Sequence, residues 1–161
     1  MFIVLMGVAG SGKTTIGREL CEELGWKFYD ADDFHPPANV ERMARGVALT
    51  DADRQPWLET LRELIRACLE RGESAVLACS ALKASYREYL LLDERVKLVY
   101  LKGDFKLIQE RLAARTGHFM KPGMLDGQFA ALEEPGAEEL HVNIDATPHE
   151  IVRAIKSHFG L

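Results

Sequence analysis

The stretch Gly7-Val8-Ala9-Gly10-Ser11-Gly12-Lys13-Thr14 decides the fold of this chain. It matches the phosphate-binding pattern G-x-x-x-x-G-K-[ST] at every fixed position, and it lies between an apolar run at 2–6 and a helical pattern that begins at Lys13. Glycine lets successive backbone N–H groups turn inward around a phosphate, which a Cβ would obstruct. We expect the whole loop, with Thr15 behind it, to contact a nucleoside triphosphate. Lys13 would neutralise the terminal phosphates and the Thr14 hydroxyl would ligate Mg²⁺.

Composition sets the outer limits of the interpretation. With 161 residues and 47% hydrophobic content, residues 1–161 fit one α/β domain. No apolar run approaches the roughly 20 residues that cross a bilayer, so no membrane association is expected. The net charge of −5 argues against a protein that coats nucleic acid. The three cysteines are widely spaced within apolar patterns, which favours buried reduced thiols and a cytoplasmic location over a disulfide framework or a zinc site.

The chain alternates between strand and helix patterns. A helix that carries the apolar stripe from Trp57 to Cys68 is predicted to have Pro56 in its first turn, and Thr147-Pro148-His149-Glu150 forms a capping box for the last helix. Alternation of this kind predicts a doubly wound parallel sheet, an α/β fold with helices on both faces. The predicted strands are 2–6, 26–29, 75–79, 96–101 and about 140–144.

The segment from about 116 to 135 departs from this alternation. It is rich in Gly, Pro and Met and has weak periodicity. Compact domains rarely keep so long an irregular segment without a purpose, and an active-site lid is a common one. A disordered excursion is the alternative. The apolar side chains of Leu125, Phe129 and Leu132 favour a lid that packs when closed.

An acidic pair follows the second predicted strand. Asp30 and Asp32 lie at its carboxyl end, where open α/β sheets bind their ligands, and residues two apart on a strand face the same side. We expect Asp32 to accept the proton of an attacking hydroxyl and Asp30 to hold Mg²⁺ through water. Solvated loop acids are the alternative reading of such a cluster, and the phosphate loop favours the functional one.

Further candidates surround this cleft. A cationic surface suited to a carboxylate is offered by Arg54, Lys83 and Arg87, with Ser80 beside them at the end of the third predicted strand. Each of these cations taken singly is more often a solvated surface group. His35 and His118 are candidate contacts for substrate hydroxyls or phosphate. Arg111 and Arg115, four apart on a helix that leads into the lid, share one face and could stabilise the transferring phosphoryl group.

The resemblance to a known family begins at residue 26 and covers nearly the whole chain. The chain resembles the bacterial-type gluconokinases, which are small P-loop kinases related to shikimate kinases. Many unrelated NTPases share the phosphate loop, but the D-x-D-R-x-P-W-L and C-S-A-L-K blocks are characteristic of this family. The resemblance rests on residues 28–36, 39–43, Leu49–Leu58, Cys79–Lys83 with Tyr86-Arg87, 100–104, 115–120, Gln128-Phe129 and 132–136.

The resemblance implies a specific fold and activity. It implies the strand order 2-3-1-4-5, a helical lid, a substrate-binding segment at about 32–58, and transfer of phosphate from ATP to the 6-hydroxyl of D-gluconate. It also implies that adenine lies between Arg111 and the loop at Thr147-Pro148. Homodimers are common in that family.

Two positions depart from the family pattern. Gly127 stands where many members carry Ser or Thr, so a hydroxyl contact is absent there and Gln128 is the remaining lid candidate for the substrate. Ala9 stands where Ser is frequent, which the backbone geometry of the loop should tolerate.

Two other readings compete with this one. A related kinase that acts on shikimate or another polyol acid would share most of these features. A nucleotide-binding switch without an acceptor would leave Asp30 and Asp32 unexplained.

Overall fold

A parallel sheet of five strands forms the centre of the computed structural model, which describes residues 1–115 and 123–161. The strand order is β2-β3-β1-β4-β5, as the family resemblance implies. The middle strand β1 is buried at all five residues because helices cover both faces of the sheet. The strands are β1 (Phe2–Met6), β2 (Lys27–Asp30), β3 (Ala75–Ala78), β4 (Val96–Lys102) and β5 (Leu140–Asn143).

Helices pack on both faces and complete three layers, which confirms the predicted α/β/α architecture. On one face, Trp57, Leu61 and Ile65 pack against the sheet. On the other, Ile16 and Ile108 are among the packing residues. The helices of the described ranges are α1 (Lys13–Leu24), α2 (Pro37–Ala44), α3 (Asp51–Glu70), α4 (Ala84–Leu90), α5 (Phe105–Ala114), α6 (Met124–Ala131) and α7 (Pro148–Phe159). Within these ranges no helix has the length and apolar character to cross a membrane.

The helix α3 begins earlier than its proline suggests. Thr50 and Asp53 form a capping box, in which the Thr50 hydroxyl accepts from the Asp53 N–H at 3.1 Å and Asp53 Oδ2 accepts from the Thr50 N–H at 2.9 Å. The helix therefore starts at Asp51, and the prediction that Pro56 lies in the first turn is wrong. The extra turn matters because it carries Asp51 and Arg54.

The part of the lid region that the structure describes is largely helical. Leu125 of α6 is buried, and the Phe129 ring lies edge-on to Phe105 with 5.3 Å between centroids. These contacts confirm the predicted packing of the two side chains against the domain. Residues 116–122, which include the candidate His118, lie outside the described residues.

All five strands run in the same direction, so the loops that follow them meet at one edge of the sheet. The loop after β1 is the phosphate-binding motif, and the loops after β2 and β3 carry Asp32 and Lys83. The topology thus brings together residues that are far apart in the chain.

Candidate active site

The phosphate loop joins β1 to α1 with a backbone that requires glycine. Gly12 caps α1 in the left-handed region at φ 93°, and Gly10 has φ 80°. A Cβ on Gly10 would also come within 2.8 Å of the Leu112 side chain. The loop leads into the N-terminus of α1, whose unpaired N–H groups and helix dipole favour an anion. This cradle fits the phosphates of a nucleotide.

Lys13 folds back over the loop. Its Nζ donates to the carbonyl oxygens of Gly7 at 2.9 Å and Val8 at 3.0 Å. Burial lowers the pKa of Lys13, and the nearby positive charge of Arg115 lowers it further, whereas Asp30 and Asp32 oppose the shift. The charges of Asp30, Asp32 and Arg115 therefore all act on Lys13. The predicted roles of these residues around a transferring phosphate require such proximity.

The two predicted magnesium-binding residues are in contact. The Thr14 hydroxyl donates to Asp30 Oδ2 at 3.3 Å. A hydroxyl and a carboxylate side by side supply the hard oxygen ligands that Mg²⁺ prefers. These two residues therefore fit a magnesium ion beside the phosphate loop.

Asp30 and Asp32 come together by a different geometry from the predicted one. The strand β2 ends at Asp30, and Ala31–Phe34 form a 3₁₀ turn in which Asp30 Oδ1 accepts from the Asp32 N–H at 3.0 Å. The expectation that both carboxylates project from one strand face is wrong, because a short acidic side chain competes for nearby backbone N–H groups and ends the strand. The turn still keeps Asp32 close to Asp30 and Lys13.

Asp32 has the electrostatics of a proton acceptor. Loss of water around its carboxyl raises its pKa, and the negative charge of Asp30 raises it further, although His35 and Lys13 lower it. Asp32 keeps access to solvent from the open cleft. A carboxylate whose pKa is raised is a stronger base than an ordinary aspartate, which suits a group that receives a hydroxyl proton.

His35 lies beside this acid on a rigid support. Its ring stacks on Trp57 with 4.4 Å between centroids, and its Nδ1 lies 3.4 Å from the Asn39 amide. The Trp57 indole is itself fixed by a hydrogen bond of 2.7 Å to the Ala31 carbonyl. Burial lowers the pKa of His35, so the neutral imidazole dominates at pH 7 and can donate or accept a hydrogen bond.

Arg54, Lys83 and Tyr86 form a group that we call the cationic cluster. All three approach one oxygen, Asp51 Oδ1: Lys83 donates to it at 2.8 Å, Tyr86 also donates, and an Arg54 nitrogen lies 4.0 Å away. Arg54 also donates to the Tyr86 hydroxyl at 3.2 Å. The hydrogen bonds from Lys83 and Tyr86 lower the pKa of Asp51. The cluster is therefore built to hold a carboxylate, and its present partner is a side chain of the protein.

Tyr86 is a site residue that the sequence analysis did not select. The signal available was its spacing, because Tyr86 follows Lys83 by three positions at the start of a helix and so shares its face. Asp51 was also missed, since the start of α3 was placed too late.

Ser80 and Arg87 shape the loop between β3 and α4. The Ser80 carbonyl accepts from the Gly7 N–H at 3.3 Å, which ties this loop to the phosphate loop. Arg87 is buried, and its Nη1 donates at 3.0 Å to the carbonyl oxygens of both Ala81 and Leu82. Ala81 has φ 44°, a conformation that costs energy for any residue with a Cβ. The Arg87 guanidinium therefore helps to hold this strained loop, and its contact with the substrate stays a prediction.

A second cleft lies behind the phosphate loop and encloses about 180 Å³. Arg111 is fixed there by a hydrogen bond of 2.6 Å from its Nη2 to the Ile144 carbonyl. The Thr147 side chain instead serves the capping box of α7, where it accepts from the Glu150 N–H at 3.3 Å. Pro148 lines this cleft at the place where the base-binding region is predicted, and binding of adenine there stays a prediction. The lining residues include Gly10, Thr15, Arg111, Arg115, Ala146 and Pro148.

Gln128 contacts the phosphate loop. Its Oε1 accepts from the Ala9 N–H at 2.6 Å, which places α6, part of the predicted lid, against the phosphate-binding motif. A direct contact between Gln128 and the acceptor substrate stays a prediction.

Comparison with known proteins identifies close relatives. The shikimate kinase family model matches residues 9–155. A probable gluconokinase of Mus musculus is 44% identical over 95% of this chain and 94% of its own length. The gluconokinase of Gluconobacter oxydans is also 44% identical, over 98% and 90%. The crystal structure of a gluconokinase from Sinorhizobium meliloti superposes with a TM-score of 0.87 at 39% identity, covering 98% of this chain and 90% of that one.

Proposed function

The chain belongs to the gluconokinase family of small P-loop kinases, and we propose that it transfers the γ-phosphoryl group of ATP to the 6-hydroxyl of D-gluconate. The products are 6-phospho-D-gluconate and ADP. Phosphotransfer to an alcohol group of gluconate is the activity for which these relatives are named.

One observation carries the class of substrate. The cleft offers a base, Asp32, next to the phosphate loop, and a cluster that already holds a carboxylate oxygen, formed by Arg54, Lys83 and Tyr86. An acceptor for this cleft needs a hydroxyl at one end and a carboxylate at the other. Gluconate and shikimate both have these groups, and the gluconokinase relatives favour gluconate. We propose that His35 contacts the hydroxyl groups along its carbon chain.

The proposed transfer needs few groups. The 6-hydroxyl oxygen attacks the γ-phosphorus while the bond between that phosphorus and the β–γ bridging oxygen breaks. The hydroxyl proton passes to Asp32. We propose that Lys13 and Arg115 neutralise charge on the phosphoryl oxygens and that Arg111 contacts the base. When bound, Mg²⁺ neutralises further phosphate charge and would be held by Thr14 and, through water, by Asp30.

A substrate panel tests this proposal. Purified protein is given ATP and Mg²⁺ with D-gluconate, with shikimate, with D-glucose or with no acceptor, and ADP release is followed by a coupled assay. We expect turnover with gluconate, and little with glucose because it lacks the carboxylate. Turnover with shikimate but not gluconate would replace the substrate, and ATP binding without acceptor-dependent turnover would favour a nucleotide switch.

We also propose that the reaction takes place in the cytoplasm. The cysteines Cys21, Cys68 and Cys79 are buried free thiols, which suits a reducing compartment. A homodimer stays a prediction from the family resemblance.

A further inference from the structure

The helix α6 and the segment that follows it touch both halves of the cleft. Within α6, Gln128 accepts a hydrogen bond from the phosphate loop. Five residues later, Glu133 reaches the loop that carries Lys83. Glu134 then fixes the segment to β4 through the Tyr100 hydroxyl at 3.3 Å and Lys102 at 3.2 Å, and Pro135 is buried.

Glu133 holds the residues on either side of Lys83. Its carboxylate Oε2 accepts from the Ala84 N–H at 2.6 Å, and its backbone N–H donates to the Leu82 carbonyl at 2.9 Å. Lys83 lies between these two anchored positions. Glu133 therefore helps to fix the direction in which the Lys83 side chain leaves the backbone, together with Arg87, which also holds the Leu82 carbonyl.

The helix α4 has no cap of its own. Lys83 occupies its N-cap position, and no side-chain cap bond is made from there. The first N–H groups of a helix lack partners within the helix, and a carboxylate at that end is stabilising. Glu133 supplies this acceptor from a distant part of the chain. The first turn of α4, which Glu133 stabilises, carries Tyr86. Tyr86 and the N-cap residue Lys83 are the two members of the cationic cluster that come from this part of the chain.

We propose that Glu133 is a positioning residue for recognition of the substrate carboxylate, acting through the loop and helix turn that present Lys83 and Tyr86. The inference rests on the proposed function, in which the cationic cluster binds that carboxylate. Glu133 itself need not touch the substrate. Its effect is to keep two of the three donors aimed at one point.

The test is a comparison of kinetic constants for wild type, Glu133→Ala and Glu133→Gln. Loss of a helix-capping bond costs about 1 kcal/mol, so we expect Glu133→Ala to raise the KM for gluconate about five-fold. The KM for ATP and kcat should change less than about two-fold. Glu133→Gln keeps an oxygen that can accept from Ala84 and should restore most of the affinity. Glu138→Gln, on the exposed segment that follows, is a matched control.

A mutant cycle separates positioning from other roles. Because Glu133 is proposed to act through both Lys83 and Tyr86, Glu133→Ala should have much less effect on the gluconate KM in a protein that already carries Lys83→Ala and Tyr86→Phe. An equal effect in both backgrounds would overturn the proposal, because a direct substrate contact or a general loss of stability predicts additivity. Melting temperatures are measured for each variant. If Glu133→Ala folds poorly, Glu133→Asp takes its place in the test. Its side chain is one methylene shorter, so it should also weaken gluconate binding.

Failure of this inference is distinguishable from failure of the proposed function. A wild-type protein without gluconate-dependent turnover would contradict the function. A wild type that phosphorylates gluconate, together with a folded Glu133→Ala variant of unchanged gluconate KM, would contradict only the role of Glu133.

Discussion

The donor side and the acceptor side of the cleft are built in different ways. The phosphate loop is eight consecutive residues whose backbone conformation forms the cradle, with glycines at φ 80° and 93°. The cationic cluster instead takes Arg54 from α3 and both Lys83 and Tyr86 from the region of α4, and each is held by a partner elsewhere. A backbone site tolerates changes outside its motif, whereas a site made of side chains depends on every segment that supports it.

This difference predicts that variants on the donor side mainly reduce the rate, whereas those on the acceptor side mainly weaken gluconate binding. The predictions that follow test that division, beginning with the largest effect.

Removal of the Lys13 cation should have the largest effect. We expect Lys13→Ala to lower kcat/KM about 10³-fold, since the charge that develops on the phosphoryl oxygens loses a fixed cation. Steady-state kinetics with ATP and gluconate measure it. Lys27→Ala, which removes only a surface ion pair with Glu73, is the control and should retain nearly full activity. A Lys13→Ala variant with more than a tenth of the wild-type rate would show that the phosphate loop is not the donor site.

Asp32→Asn should lower kcat about 10²-fold or more, because the hydroxyl proton loses its acceptor. ATP affinity, measured by calorimetry, should change little. The neighbouring Asp33→Asn variant serves as the control and should keep most of the turnover. Parallel losses of ATP binding and of turnover in Asp32→Asn would argue against a role as base.

On the acceptor side, Arg54→Ala should raise the KM for gluconate about 10- to 100-fold, the range expected for a charged hydrogen bond, with a smaller change in kcat. Arg66→Ala removes a surface arginine paired with Glu63 on the same helix and is the matched control. An unchanged gluconate KM in Arg54→Ala would remove the cationic cluster from the acceptor site.

The smallest effect concerns the electrostatic coupling within the acidic turn. Because Asp30 raises the pKa of Asp32, Asp30→Asn should lower it, so that Asp32 ionises at a lower pH. The negative charge of Asp33 raises the pKa of Asp32 less than that of Asp30 does. Asp33→Asn should therefore lower the pKa of Asp32 by a smaller amount. Titration of the ¹³C-labelled carboxyl by NMR in the free protein measures both. An unchanged pKa of Asp32 in the Asp30→Asn variant would contradict the electrostatic coupling between the two carboxylates.

The same division explains how much of the site could be predicted from sequence. The phosphate loop and the Arg111–Arg115 pair could be proposed as site residues from sequence because contiguous spacing or a single helix face marks each. The support that Arg87 gives to the loop before α4 could not be predicted, since its hydrogen bonds to the Ala81 and Leu82 carbonyls depend on how that loop folds. The capping box at Thr147, by contrast, was predicted from its local pattern and is confirmed. The start of α3 was misplaced because Pro56 gave a more conspicuous signal than the capping box at Thr50, and Asp51 was lost with it.

Long-range support was beyond sequence reasoning for a physical reason. Glu133 is 49 residues from Ala84, and nothing in the local pattern around either position predicts their hydrogen bond. The strand order was supplied by the family resemblance, since alternation of strands and helices is compatible with several orders.

The most direct test of the account is to identify the phosphorylated atom. The protein is incubated with ATP, Mg²⁺ and ¹³C-labelled gluconate, and ¹³C–³¹P coupling in the product is recorded by NMR. The account predicts a phosphate ester at carbon 6, the end of the molecule farthest from the carboxylate that the cationic cluster would hold. An ester at any other carbon, or nucleotide hydrolysis without a gluconate ester, would contradict it.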